Sequence, residues 1–162
     1  MLNEGDKAPA FNAKDQTGKL VSLKDFLGKK VILYFYPEDD TPTCTIEACN
    51  LRDNFSLLKK EGFVIVGVSP QNEKLHRKFQ TKFNLPFQLL ADTDRKIIDA
   101  YECWALKKMF GHEYMGVLRQ TFIISEKGKI VKIFRKVHSK NHAQEILDSY
   151  LKIINSDNRV RI

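Results

Sequence analysis

No two of the three cysteines in this chain stand in a Cys-x-x-Cys motif. Cys44 and Cys49 have four residues between them, and Cys103 stands apart beside Trp104. That spacing argues against the compact redox motif of dithiol exchange proteins and against a zinc ribbon. Three thiols are also too few for a disulfide framework. The four histidines (His76, His112, His138, His142) show no ligand spacing, and none falls near Cys44 or Cys49, so no metal is expected. No apolar run approaches the ~20 residues that span a bilayer. Met1 to Asp6 are mostly polar, and no basic segment with an apolar stretch follows, so no secretory signal is expected. A cytoplasmic setting, where thiols are kept reduced, is the expectation.

Lys and Arg number 27 against 20 Asp and Glu, a formal charge of +7. The basic residues do not cluster: Lys29-Lys30, Lys59-Lys60 and Lys107-Lys108 are isolated pairs. A scattered excess reads as a solvated surface rather than a nucleic-acid or membrane interface. Repeats and domain linkers are absent too. The expectation is one domain over residues 1–155 with a loose tail over 156–162.

What is present begins with Val31 to Tyr36, six apolar or aromatic residues in a row. A run without alternation argues for a strand buried on both faces. Phe63 to Val68 is a second such run. Phe11 to Leu23, turning at Asp15-Gln16-Thr17-Gly18, reads as an N-terminal hairpin. Thr43 to Lys60 reads as one helix, with a buried stripe of Cys44, Ala48, Leu51, Phe55 and Leu58. Leu75, Phe79 and Phe83 mark the next helix, and Pro86 to Leu90 a short strand. Tyr101 to Leu118 reads as an irregular apolar loop. Gln120–Ser125 and Ile130–Val137 form a late hairpin, and a final helix follows Asn141 as N-cap. Strands alternating with helices, then a hairpin and a helix, indicate an α/β fold with a mixed central sheet and helices on both faces, in a thioredoxin-like order.

The chemistry gathers at Pro37 to Cys49. A strand ends, a Pro-bounded acidic loop follows, and Cys44 sits where a helix begins. Unpaired N–H groups at a helix N-terminus favour a thiolate, the nucleophilic form. A nearby arginine would add to this. Arg119 is the candidate because it opens the strand Gln120–Ser125, although a plain surface position on that strand fits as well. In an intact helix two residues five apart have Cα atoms ~8.6 Å apart and lie ~140° apart around the axis. A disulfide rarely tolerates more than ~7 Å. Cys44 and Cys49 therefore bond only if the helix start unwinds; otherwise Cys49 is a small half-buried residue without chemistry.

Pro37-x-x-x-Thr41-x-x-Cys44 resembles the active-site signature of the peroxiredoxins. The longer string from Tyr34 through Cys49, with Arg52-Asp53 after it, resembles the bacterioferritin-comigratory-protein or peroxiredoxin Q branch. Gly5 to Phe11 and Arg119 to Ile124 are similar to that branch as well. The resemblance implies a thioredoxin fold and a thiol peroxidase acting on hydrogen peroxide and organic hydroperoxides, without metal, haem or flavin. It implies Cys44 as the attacking thiol, Thr41 as a hydrogen-bond partner of the peroxide, and Pro37 as a shield. Arg119 would stabilise the thiolate and polarise the O–O bond, and the N–H groups of Thr43 and Cys44 would help bind the peroxide oxygens. Cys49 would be the resolving thiol, Glu47 a supporting acid, and thioredoxin or a similar dithiol the reductant of a monomeric enzyme. Two departures stand out. Thr43 replaces a common glycine, and Cys103, read as a buried structural thiol, is not a usual resolving position. The alternative reading is a disulfide-exchange protein without peroxidase activity.

Overall fold

The computed structural model describes the backbone of residues 1–160 and the side chains of residues 1–155. At its centre lies a mixed five-stranded sheet. Three strands run parallel: β3 (Lys30–Phe35), β4 (Phe63–Ser69) and β5 (Gln88–Ala91). On the other side of β3, β8 (Thr121–Ile124) pairs antiparallel, and β9 (Ile130–Phe134) pairs antiparallel with β8. The spatial order is β5-β4-β3-β8-β9. Outside the sheet, β1 (Asn12–Lys14) and β2 (Leu20–Ser22) form the N-terminal hairpin, and β6 (Trp104–Met109) and β7 (His112–Val117) form another. Among the described residues five α-helices complete the fold: α1 (Pro42–Asp53), α2 (Phe55–Lys60), α3 (Glu73–Phe83), α4 (Lys96–Ala100) and α5 (His142–Val160). Among the described residues no helix is long and apolar enough to cross a membrane.

The apolar run of β3 is explained by its two covered faces. Val31, Leu33 and Phe35 join a core with α4, Tyr101 and residues of the N-terminal hairpin. Ile32, Tyr34 and Tyr36 join a second core with α1, α2, α3 and α5. Side chains alternate across a strand, so only a two-sided cover makes every position apolar. Gly67 in β4 is needed for close approach: a Cβ there would lie 3.0 Å from the Tyr34 ring and 2.9 Å from Leu89.

Five local expectations are corrected. The helix expected over Thr43–Lys60 breaks at Asn54 into α1 and α2, and Phe55 is only partly buried. On α3 it is His76 that is buried with Phe79, while Leu75 is 41% exposed. The supposed loop Tyr101–Leu118 is the β6–β7 hairpin, turning at Phe110-Gly111 with φ of 51° and 79°. Two central residues with positive φ are what a type I′ hairpin turn requires. Its sequence shows no clean alternation because neither face is fully covered, and Phe110 at the tip is 95% exposed. Finally, α5 runs to Val160, so the tail expected from residue 156 is helical to that point; Arg161 and Ile162 lie outside the described residues. A 3-10 turn, Ser139–Asn141, leads directly into α5, so the helical stretch starts after His138 rather than at the expected Asn141 cap.

Candidate active site

The site is built where β3 stops. Tyr36 is the last residue of the apolar run, and Pro37, which has no N–H to continue the ladder, ends it. The loop Pro37–Thr41 follows. Thr41 is the N-cap of α1, in extended conformation, and Pro42 takes the first helical position. Thr41 Oγ1 donates to the Glu38 carbonyl at 2.9 Å, inside the loop. Thr43 is exposed, and Cys44, at the third helical position, is buried. Pro42 lacks an N–H, so the free donors at this helix end belong to Thr43 and Cys44.

Arg119 arrives by register. Antiparallel pairing sets Thr121 opposite Tyr34, and Phe35 N donates to the Gln120 carbonyl. The residue before Gln120 therefore lies beside the end of β3, next to the start of α1. There Arg119 Nη2 donates to Cys44 Sγ at 3.2 Å, and Nη1 donates to Glu47 Oε1 at 2.8 Å. A thiolate accepts such a charge-assisted bond better than a thiol does. Burial alone would weaken the guanidinium's hold on its proton, but Glu47 and Cys44 outweigh it and strengthen that hold.

Glu47 is fully buried one turn along α1 from Cys44. Burial pushes its carboxyl up to about 7, against the lowering effect of the Arg119 charge and hydrogen bond. Its Oε2 has no hydrogen-bond partner, and neither has the buried Tyr34 hydroxyl. Desolvation, with Glu47 and Cys44 nearby, holds the Tyr34 phenol well above its ordinary range.

The three cysteines differ in setting. Cys44 is 2% exposed, Cys49 is half-buried further along α1, and all three thiols are free. Because α1 is an unbroken helix between Cys44 and Cys49, their Cα atoms are ~8.6 Å apart. Cys103 is fully buried, and burial pushes its thiol up to about 12. Among the described residues no three His, Cys, Asp or Glu side chains gather as metal ligands would. A groove of about 400 Å³, lined by Phe55, Phe63, Pro86 and Phe87 among others, lies at the start of the parallel strands, away from Cys44.

Sequence reasoning placed Arg119 near Cys44 as one of two open readings, and the structure brings them together. It did not find the burial of Glu47 against Arg119. The signal for that was the i, i+3 spacing from Cys44, which puts both on one helix face. Nor did it find Asp39 and His76, which meet in a buried pair at 2.7 Å.

A profile of the AhpC/TSA family matches residues 4–133. Peroxiredoxin Bcp of Bacillus subtilis (strain 168) is 47% identical over 145 residues, 90% of this chain and 92% of that protein. Among solved structures, the bacterioferritin comigratory protein of Xanthomonas campestris, studied for its alkyl peroxide reduction activity, superimposes with a TM-score of 0.81 at 31% identity. That match covers 86% of this chain and 88% of the other. A PrxQ mutant of Xylella fastidiosa superimposes with a TM-score of 0.89 at 26% identity, covering 95% and 98%. The sheet and its flanking helices are thus thioredoxin-like, as in those peroxiredoxins. Matched in sequence and in fold over most of its length, the chain belongs to the AhpC/TSA family and, within it, to the Bcp or peroxiredoxin Q branch.

Proposed function

We propose that this thiol peroxidase attacks hydroperoxides with Cys44 and resolves the product through Cys49. The contact between Arg119 Nη2 and Cys44 Sγ at 3.2 Å, at the start of α1, carries the reading. It couples a nucleophile to a cation that also serves the leaving oxygen. The Cys44 thiolate attacks one peroxide oxygen, and the O–O bond breaks. The other oxygen leaves as hydroxide or alkoxide and takes a proton, giving water or alcohol and a sulfenic acid on Cys44. Arg119 and the N–H groups of Thr43 and Cys44 are the donors for the charge that develops on oxygen; Thr41 joins them when its hydroxyl hydrogen turns from the Glu38 carbonyl to the peroxide. Pro37 closes the strand side of the pocket.

Cys49 then attacks the Cys44 sulfur, the sulfenic oxygen leaves as water, and a disulfide forms. The first turns of α1 must unwind for this, since ~8.6 Å exceeds disulfide reach. Cys103 is a poor alternative, being fully buried with its thiol pushed up to about 12. An external dithiol, which we assign to thioredoxin or a similar protein, returns both cysteines to thiols by exchange. Disulfide exchange without peroxidase activity gives way to membership of a peroxidase family.

Equimolar peroxide added to the reduced protein is expected to yield an intramolecular Cys44–Cys49 disulfide on peptide mapping. Cys49→Ser should complete one oxidation and stop as sulfenic acid, detected as its dimedone adduct. A map dominated by Cys44–Cys103, or normal cycling of Cys49→Ser with thioredoxin, would remove Cys49 from the mechanism.

Resolution within one chain needs no second copy, so we assign a monomer working in the cytoplasm. The exposed β6–β7 tip, with Leu106, Met109, Phe110 and Met115, is the surface that would oppose this. Sedimentation velocity is expected to give one species of monomer mass across a tenfold dilution, in both redox states. A concentration-dependent dimer would overturn the assignment.

A further inference from the structure

The loop between β3 and α1 is tied down by three buried side chains that take no part in the peroxide chemistry described above. Asp39 lies in the loop, Tyr36 at its entry, and His76 on α3. Tyr36 Oη donates to Asp39 Oδ1 at 2.7 Å. His76 Nδ1 meets Asp39 Oδ2 at 2.7 Å, and His76 Nε2 meets the Leu90 carbonyl of β5 at 3.0 Å. The His76 side chain is fully buried and that of Asp39 is 5% exposed.

The partners fix the proton count. A backbone carbonyl only accepts, so Nε2 carries a hydrogen. Tyr36 spends its own hydroxyl hydrogen on Oδ1. A bare Nδ1 would therefore set its lone pair against a carboxylate oxygen at 2.7 Å. A proton must lie between Nδ1 and Oδ2, and imidazole is ordinarily the stronger base of the two. The Tyr36 oxygen, 3.4 Å from Nδ1, presents a further lone pair to that proton.

We infer that His76 stands as a buried imidazolium paired with Asp39, and that this clasp is the positioning device for the Pro37–Thr41 loop beside Cys44. The inference rests on Cys44 as the attacking thiol. Two observations set the clasp apart from ordinary surface ties. The other charged contact of the loop, Lys82 to Asp40 at 2.7 Å, is exposed on both sides, and such pairs hold little. Asp40 also takes a left-handed backbone conformation, with φ of 58°, which needs surroundings that enforce it. The clasp joins the end of β3 to α3 and β5, and it contains no residue of α1. The helix start can therefore unwind to deliver Cys44 while Pro37 and Asp39 keep their places.

The test begins with the reduced wild-type protein labelled with nitrogen-15 in histidine. Long-range proton–nitrogen spectra at neutral pH are expected to show both His76 ring nitrogens protonated; one bare nitrogen overturns the charge assignment. In Asp39→Asn the counter-charge is gone, and His76 is expected to become neutral. The rate constant of Cys44 with peroxide, followed by stopped flow, should fall about tenfold or more, as misplacement of a reacting group predicts. Disulfide formation after oxidation should keep its rate. A variant that melts earlier but keeps a charged His76 and the wild-type rate constant overturns the positioning role. The nitrogen spectra come from the resting protein, so they stand apart from any failure of the Cys44 reading, which would show as persisting turnover in Cys44→Ser.

Discussion

Cys44→Ser is expected to consume no peroxide above background, a loss of at least about a thousandfold. The expectation follows from the setting of the sulfur. Cys44 is 2% exposed and faces a single charged donor, Arg119, at 3.2 Å. That donor can hold a thiolate, because a thiol ionises within a few units of neutral pH. A serine hydroxyl is far too weak an acid for the same cation to ionise it, so the nucleophile is lost while the shape is kept. Among the described residues Cys49 and Cys103 are the remaining thiols, and neither meets a guanidinium. Serine keeps a hydrogen-bond acceptor in the same space, so circular dichroism and the melting temperature should stay near wild type. Peroxide loss in a thioredoxin-coupled assay is the measurement. Persisting turnover would move the chemistry to another thiol and take the roles of Arg119 and Thr41 with it.

How much of this was readable beforehand differs by element, and the reason lies in the range of the interactions. The buried strands β3 and β4 announce themselves because two covered faces leave no polar position. Cys44 at a helix start is a local fact, set by Pro37, Thr41 and Pro42 within a few residues. Arg119 sits between these cases: its contact spans 75 positions in sequence, but strand order and register bring it in once the late hairpin is recognised. The break at Asn54 was hidden because Phe55 and Leu58 continue the helical spacing across it. The β6–β7 hairpin was hidden because it lacks the one-sided burial that produces alternation. His76 was hidden most thoroughly. A histidine on a charged helix looks solvated until α3 is packed against the loop and β5, and its two partners come from 37 and 14 positions away.

Arg119→Met should lose about a hundredfold to a thousandfold in kcat/KM at neutral pH, the usual cost of removing one preorganised hydrogen-bond donor from a transition state. Its stability should carry a second, separate signature. Glu47 is fully buried, and its Oε1 accepts from Arg119 at 2.8 Å. In the wild type, burial already raises the Glu47 carboxyl to about 7, with Arg119 pulling the other way. Removing Arg119 leaves burial unopposed, so the carboxyl rises further. A carboxyl raised in the folded state stabilises the fold fully below the ordinary carboxylate range, and that contribution is lost as pH climbs to the folded value. In the wild type the loss ends near 7; in Arg119→Met it continues beyond. The difference in stability should therefore be small near about pH 5, where Glu47 is protonated in both proteins. It should widen toward about 3 kcal/mol near about pH 9, where the variant must bury an unpaired charge or stay protonated against the solvent. Thermal melts of the two proteins across this range measure it. A difference that stays flat with pH would mean that Glu47 does not depend on Arg119 for its charge, and the buried pair beneath Cys44 would then be a contact of shape alone.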